Sequence, residues 1–490
     1  MNSFFTCWIY FFTFFKNFYS IKRFYFVFVF RNCDILQNVS MIYFYKKFKL
    51  LLLFSFIAYF FLEKNILSAN YIRDTELEFA IDSWAEPIFK AANMDAKQIK
   101  IHIIADQKIN AFVIDGNNMF INTGLITKAG SASGVIGVIA HEAGHISAGH
   151  ILKIKEKIKN LSNNQFFTSL LGIGVLLVGA KSQTISRNDS AEIAKGILAI
   201  GPDISRRRFF AFSRANEFAA DALGIKYLKK ANRDPGALGI ILEQLAGQEL
   251  LISSRQDPFL RTHPLSRERL KFIRKHKLSD KIVEPNKDKI LYKRLQSKIN
   301  AFTDPPGKTL LVNKDNSIHQ RYARAIAYFR IPMYEEAILS INSLLKDYPS
   351  DPYFLELKGQ IYAENGKIEN AINAYKKSLS VIEKPAPLIM IALANMLLER
   401  RNSSSSYTNA KNLLEKTIFL EPNNILAWHL KGIAHNKLNE KNLADLSAAE
   451  EFLIRRDFNR SKYFAERVVK NTKTNSPESI RANDILNIVN

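Results

Sequence analysis

From Val138 to Ile151 the chain reads Val-Ile-Ala-His-Glu-Ala-Gly-His-Ile-Ser-Ala-Gly-His-Ile, and the five residues His141-Glu142-Ala143-Gly144-His145 decide its reading. The run from Ser133 to about Lys157 predicts a helix. Val135, Ile136, Val138, Ile139 and Ile146 supply its apolar face, and Ser131 or Ser133 its N-cap. Residues four apart on a helix share a face, so the imidazoles of His141 and His145 can grip one metal ion. Glu142, one step round, reaches the water that the ion activates. Neutral imidazole suits zinc, and a carboxylate can take the proton of a water made acidic by the ion. Such a pentapeptide arises by chance on the order of once in a hundred chains with this many histidines. The bland alternative is a helix with two surface histidines. The apolar flanks and the glycine between the histidines weigh against it.

A catalytic zinc takes three protein ligands and keeps one open position. The third ligand is sought in Arg214-Ala215-Asn216-Glu217-Phe218-Ala219-Ala220-Asp221-Ala222, a second predicted helix with Phe218, Leu223 and Tyr227 as its buried side. Glu217 and Asp221 are four apart, so Glu217 can bind the metal while Asp221 orients a ligand imidazole through its free N–H. Upstream, Lys100–Ile104 alternates as a strand. Asn110-Ala111-Phe112-Val113 and Met119-Phe120-Ile121 read as a hairpin around Asp115-Gly116-Asn117. Asn110, Ala111 and Phe112 are candidates for an edge strand that holds substrate backbone by strand addition.

The three segments "INAFVIDGNNMFINTGLIT", "VIAHEAGHISAGHI" and "SRANEFAADALG" follow one another as in the HtpX/CAAX-protease-like superfamily of gluzincin metallopeptidases. The chain resembles that family over roughly residues 70–275. The resemblance implies one zinc ion held by His141, His145 and Glu217, with Glu142 as general base. It also draws attention to Thr262-His263-Pro264, because in periplasmic members with a repeat tail this histidine can approach the zinc and hold the enzyme closed. His263 is therefore a candidate regulatory fourth ligand, which would displace the nucleophile. A His-Pro in a loop is otherwise an ordinary turn. His150, five residues past His145, lies off the ligand face and reads as structural.

The main body holds no cysteine: Cys7 and Cys33 both lie in the first forty residues, so any metal here is held by His and carboxylate. Residues 1–40 contain eleven phenylalanines and no period that would bury one face. Met41 begins a more ordinary start. Lys46, Lys47 and Lys49 precede the apolar run Leu50–Leu62 and the small-residue end Leu67-Ser68-Ala69, the anatomy of a signal peptide. An uncleaved anchor is the alternative. The reading makes 1–40 a mis-annotated extension, 41–69 the export segment and the periplasm the place of work. The formal charge of +23 suits acidic surfaces such as anionic lipid, and no nucleic-acid-binding signature accompanies it. Phe166–Ala180 is apolar throughout, predicting a buried helix over the cleft or a segment that dips into lipid. The adjacent Arg206-Arg207-Arg208-Phe209-Phe210 suits a solvated turn or a lipid surface.

From about residue 319 the text changes to paired helices of 34-residue period. Small residues recur at Ala337, Ala371, Ala410 and Ala444, with Ala325, Gly359, Leu398 and Gly432 twelve residues before each. The one longer spacing is absorbed by the polar "NSSSSYT" at 402–408. This resembles the tetratricopeptide repeat: three good units, one degenerate unit and a helical cap from about Arg456 to Ile488. Such stacks offer a concave surface for peptides. The expected architecture is mainly α with a small β-sheet. A zinc metallopeptidase domain (70–275), a connector (276–318) and an all-α repeat solenoid (319–490) follow in order. Export segment, gluzincin motifs, T-H-P histidine and repeat tail together resemble the periplasmic beta-barrel assembly-enhancing type. That resemblance implies quality control of misfolded or stalled outer-membrane proteins, with the repeats docking the assembly machinery. Two rivals stand beside it: a repeat-based chaperone with a closed or vestigial zinc site, and an inner-membrane-anchored quality-control protease.

Overall fold

The computed structural model describes residues 71–114, 117–150, 204–248, 259–260, 263–276, 283–400 and 403–489. The expectations for 1–40, 41–69 and 166–180, and for the side chains of 206–210, lie outside the described residues. A small sheet forms from β1 (Tyr71–Ile72), β2 (Lys100–Ile104), β3 (Ala111–Ile114) and β4 (Asn118–Asn122), in the order β1-β2-β4-β3. The hairpin expected around 115–117 is present, with Ala111 opposite Ile121 and Val113 opposite Met119. It sets β3 at the edge of the sheet, as the strand-addition reading requires. Strand β2 runs parallel to β4, so β4 lies between β2 and β3 although β3 precedes it in the chain.

Helix α1 (Thr75–Ala91) lies between β1 and β2 in the chain. Asp74 caps it, its side chain accepting from Leu77 N, and Leu77, Ile81, Trp84 and Ile88 bury its inner stripe. After β4 come α2 (Thr123–Lys128) and α3 (Ala132–Ser147), the helix of the His-Glu motif. Ser131 is its N-cap, accepting from Gly134 N. The sequence reading carried this helix to about 157, but it stops at Ser147. Gly149 sits at φ +60°, a left-handed conformation that only glycine adopts without cost, and its N–H closes the turn on Ile146 O. That stop folds His150 back beneath the motif.

The second motif helix, α4 (Ile204–Lys230), crosses α3, followed by α5 (Ala237–Leu245) and α6 (Arg267–His276). The expected buried side of α4 is corrected in part. Tyr227 is buried, but Phe218 and Leu223 are only half-buried, and the inward stripe is Glu217, Ala220, Asp221 and Gly224. Two glycines explain the close crossing. A Cβ on Gly144 would stand 2.6 Å from Ala220 O, and one on Gly224 3.1 Å from Ala140 O.

The segment 276–318 is not a bare tether. It forms α7 (Asn286–Thr303) and α8 (Pro306–Val312), and Tyr292, Leu295 and Ile299 of α7 join the core of α1, α3 and the sheet. Polar text hid this because the apolar stripe is only one face of α7.

The repeats follow as helix pairs: α9 (Ile318–Arg330) with α10 (Tyr334–Asp347), then α11 (Pro352–Glu364) with α12 (Ile368–Val381). Next come α13 (Pro387–Glu399) with α14 (Ser404–Leu420), and α15 (Ile425–Lys437) with α16 (Lys441–Ile454). The four register alanines all lie on second helices and are buried. The unit read as degenerate is a complete pair. The polar insertion becomes the first turn of α14, which has 17 residues where α10, α12 and α16 have 14. The terminal cap is α17 (Phe458–Asn471) and α18 (Pro477–Val489). The chain is thus mainly α with a small sheet: a sheet-and-helix domain that carries the His-Glu motif, followed by a tetratricopeptide-like solenoid. Among the described residues no helix is long and apolar enough to cross a membrane.

The motif-bearing domain and the repeats meet along α1. Glu76 is fully buried there, its carboxylate facing Arg294 Nε at 2.5 Å and Lys298 Nζ at 3.1 Å from α7, and accepting from Tyr322 Oη of α9 at 3.0 Å. Arg294 also donates to both oxygens of Asp351. Further along, Thr75 reaches Glu356 of α11, Arg73 reaches Glu421, and Phe79 packs on the repeat core.

Candidate metal centre

Helix α3 presents His141 and His145 on one face, as four-residue spacing requires, and α4 brings Glu217 across the glycine crossing. The loop before α6 adds His263. These four residues each turn one ligand atom to a common point, all four atoms lying within 4.8 Å of one another. His141 Nε2 stands 3.1 Å from His145 Nε2 and 3.2 Å from His263 Nδ1. Glu217 stands 3.3 Å from both His141 and His145, and 3.2 Å from His263. Tetrahedral donors about 2.0–2.1 Å from a zinc ion are about 3.3 Å apart, so the spacing is that of a coordination shell.

The surroundings set the ring tautomers. His141 Nδ1 lies 2.9 Å from Asp221 Oδ1; a proton on Nδ1 leaves the Nε2 lone pair free to face the centre. On His145 the outward Nδ1 meets His150 Nδ1 at 3.0 Å; a proton on His145 Nδ1, donated to His150, leaves the Nε2 lone pair to face inward. Asp221 is itself held by Arg269, whose Nε and Nη2 donate to its two oxygens at 2.7 and 2.9 Å. Arg269 is fully buried. Its Nη1 donates to Pro264 O and lies 3.0 Å from Glu217 Oε2. One guanidinium therefore fastens the acidic helix to the His263 loop.

Electrostatics agree with a site built for a cation. Burial opposes charge on Glu217, yet the three histidines hold its carboxyl well below the usual range. Asp221 is likewise held low against burial by Arg269 and His141. Burial takes His145 down to about 3, keeping it a neutral ligand. At His141 burial also resists charge, but Asp221 and Glu217 overcome it and pull the ring up to about 10; the same two carboxylates would attract a metal ion beside it. Glu142 is buried, which raises its pKa. Its Oε1 lies 3.3 Å from His263 Nε2, and neither atom has a hydrogen-bond partner.

Every motif residue singled out in the sequence comes to this place: His141, Glu142, His145, Glu217, Asp221 and His263. Asn110, Ala111 and Phe112 stand at the edge strand with buried side chains, so what that edge offers is main chain. Ile109 O accepts from Phe259 N at 3.3 Å, and the Phe259 ring lies 4.6 Å from the His263 ring. Two contributors were missed. Arg269 carried no signal beyond lying six residues past His263, and His150 was read only as structural although it orients a ligand.

Comparison with known proteins agrees. Residues 73–277 match the model of peptidase family M48. The beta-barrel assembly-enhancing protease of Escherichia coli K12 is 27% identical over 397 residues, 79% of this chain and 77% of that protein. The protein of the same name from Yersinia pestis is 25% identical over 395 residues, 79% of this chain and 78% of its own. The mitochondrial metalloendopeptidase OMA1 of Schizosaccharomyces pombe is 28% identical over 186 residues, 38% of this chain and 49% of that one. The donor cluster, its carboxylate support and these likenesses lead to one conclusion: the chain is a metalloendopeptidase whose residues 73–277 are similar to peptidase family M48.

Proposed function

We propose that the chain is a zinc-dependent endopeptidase of the bacterial periplasm, acting in quality control of misfolded or stalled outer-membrane proteins. The repeats dock its protein partners, among them the assembly machinery. The observation that carries the chemistry is the set of four inward donors, His141, His145, Glu217 and His263, with the Glu142 carboxylate beside them. His141, His145 and Glu217 would hold one zinc ion. The bound ion supplies Lewis acidity and makes water nucleophilic near neutral pH. Glu142 would serve as the general base, accepting a proton from the attacking water and passing it to the leaving amine; a raised pKa suits this exchange. Asp221 and His150 hold the imidazoles in the tautomers needed, and Arg269 keeps Asp221 in place. A substrate strand lies along Asn110–Phe112.

His263 lies 3.2 Å from His141 and from Glu217, which supports its role as a fourth ligand that would hold the site closed by taking the place of the nucleophile. The likeness along most of both chains to proteins named for enhancing beta-barrel assembly supports the periplasmic reading, as does the signal-like segment at 41–69. The domain plan proposed is export segment, peptidase at 70–275, structured connector at 276–318, and repeats from 319. A repeat-based chaperone with a permanently closed site is the second reading, favoured by the His263 contact alone.

Casein degradation by the purified protein, beside Glu142→Gln and His263→Ala with zinc content determined for each, tests the proposal. One zinc per chain, loss of cleavage in Glu142→Gln with metal retained, and faster cleavage in His263→Ala are expected. Zinc in every form with no cleavage by any of them overturns it in favour of the chaperone.

A further inference from the structure

Between α1, α7 and the repeat helices α11 to α13 the chain leaves a cavity of about 500 Å³, which the peptidase chemistry does not use. Ile72, Leu77, Leu388 and Ala392 form apolar walls, and the exposed Phe302 and Gln360 stand at its mouth. Its size lies within the range of about 300–1,000 Å³ typical of ligand sites.

One acid on its lining is unmatched. Glu356 accepts from Thr75 Oγ1 at 3.2 Å through Oε1, while its Oε2 is buried and has no hydrogen-bond partner. The cations of this seam make their ion pairs elsewhere, and Lys298, which lines the cavity with Arg73, only partly offsets the burial of Glu356. Lys298 lies 2.6 Å from Asp74 and 3.1 Å from Glu76, Arg73 pairs with Glu78 and Glu421, and Arg294 pairs with Glu76 and Asp351. Burial accordingly pushes the Glu356 carboxyl up to about 8. A buried carboxylate oxygen calls for a donor, and the apolar walls call for a hydrocarbon stem.

We infer that this cavity receives a lysine side chain of a docked polypeptide, its methylenes against Leu77, Leu388 and Ala392 and its ammonium on Glu356. Lysine combines the two features by burying its stem while keeping its head on a polar partner. A polypeptide is the occupant because three of the lining helices belong to a repeat array whose fold presents peptide-holding surfaces. The inference rests on the docking role proposed for the repeats and is independent of the metal centre.

The test is calorimetric titration of the purified protein, carrying Glu142→Gln to prevent cleavage, with acetyl-Leu-Lys-Leu-amide and its norleucine counterpart. The lysine peptide is expected to bind at least about tenfold more tightly. Glu356→Gln should abolish that difference. Ala392→Leu, which narrows the cavity and keeps the acid, should weaken both peptides; unfolding curves show whether either variant is folded. Equal affinities, no saturable binding, or a lysine preference that survives Glu356→Gln overturns the assignment. Failure of the docking role itself shows separately, as absence of binding between the parent and an unfolded outer-membrane barrel protein. If parent and Glu356→Gln bind that protein equally, the cavity alone is overturned.

Discussion

Arg269 shows how much of the metal centre depends on one side chain outside the ligand set. It is fully buried and touches Asp221, Glu217 and Pro264 O. Arg269→Met leaves two buried carboxylates without their cation, and breaking a buried ion pair from one side costs about 3–5 kcal/mol. The expected result is a loss of that order in urea unfolding, and weaker zinc retention in competition with a chelator. His150 acts on one ligand only. His150→Ala frees the outer nitrogen of His145, and loss of such a partner lowers metal affinity about 10–100-fold. Chelator titration should show that weakening with overall stability nearly unchanged; an unaltered affinity would remove His150 from the centre.

Among the elements, the crossing of α3 and α4 matters most. Gly144 lies between the two motif histidines, and a Cβ there would meet Ala220 main chain at 2.6 Å. Backbone cannot swing aside as a long side chain can. Gly144→Ala is therefore expected to cost at least the 1–3 kcal/mol typical of overpacking and to part Glu217 from the histidines. Zinc content should fall together with the unfolding midpoint. A variant that keeps its full metal content would show that α4 can shift without loss of the site. Ser131→Ala, at the N-cap of the same helix, should cost about 1 kcal/mol and leave the metal in place, which separates helix stability from helix crossing.

The whole molecule is held along the seam of α1, α7 and the repeats, where charge is buried on both sides. Glu76 is drawn below its ordinary pKa: burial opposes this, but Arg294 and Lys298 outweigh it. Its contribution is present above an unfolded value of about 4.3 and is lost as pH falls through the lower folded value. Glu356 has the opposite sign. Burial raises it to about 8, with Asp74 and Glu76 adding to the rise and Lys298 and Thr75 opposing it. Its contribution is complete below about 4.3 and is lost as pH rises toward 8. Stability should thus fall on both limbs. Glu356→Gln should flatten the limb between about pH 5 and 8 and leave the acid limb, as read from unfolding midpoints against pH. Glu76→Ala strands Arg294 and Lys298 and should cost about 3–5 kcal/mol. If the repeats instead unfold in a separate transition with the peptidase unaffected, the seam does not couple them.

The sequence by itself determined what local helix geometry can carry. Four-residue spacing placed His141 with His145 and Glu217 with Asp221, and a 34-residue period declared the paired helices of the repeats, because each relation lies within one helix or one repeating unit. Only the tertiary structure decided what meets across long separations. His263 reaches His141 from 122 residues away, and the Glu76–Lys298 contact spans 222 residues. The buried stripe of α4 also became visible only there, since its acids face inward against the rule that charge faces water. A buried charge is tolerated when its partner is in place, and the partner is supplied by another part of the chain, at a separation no spacing encodes.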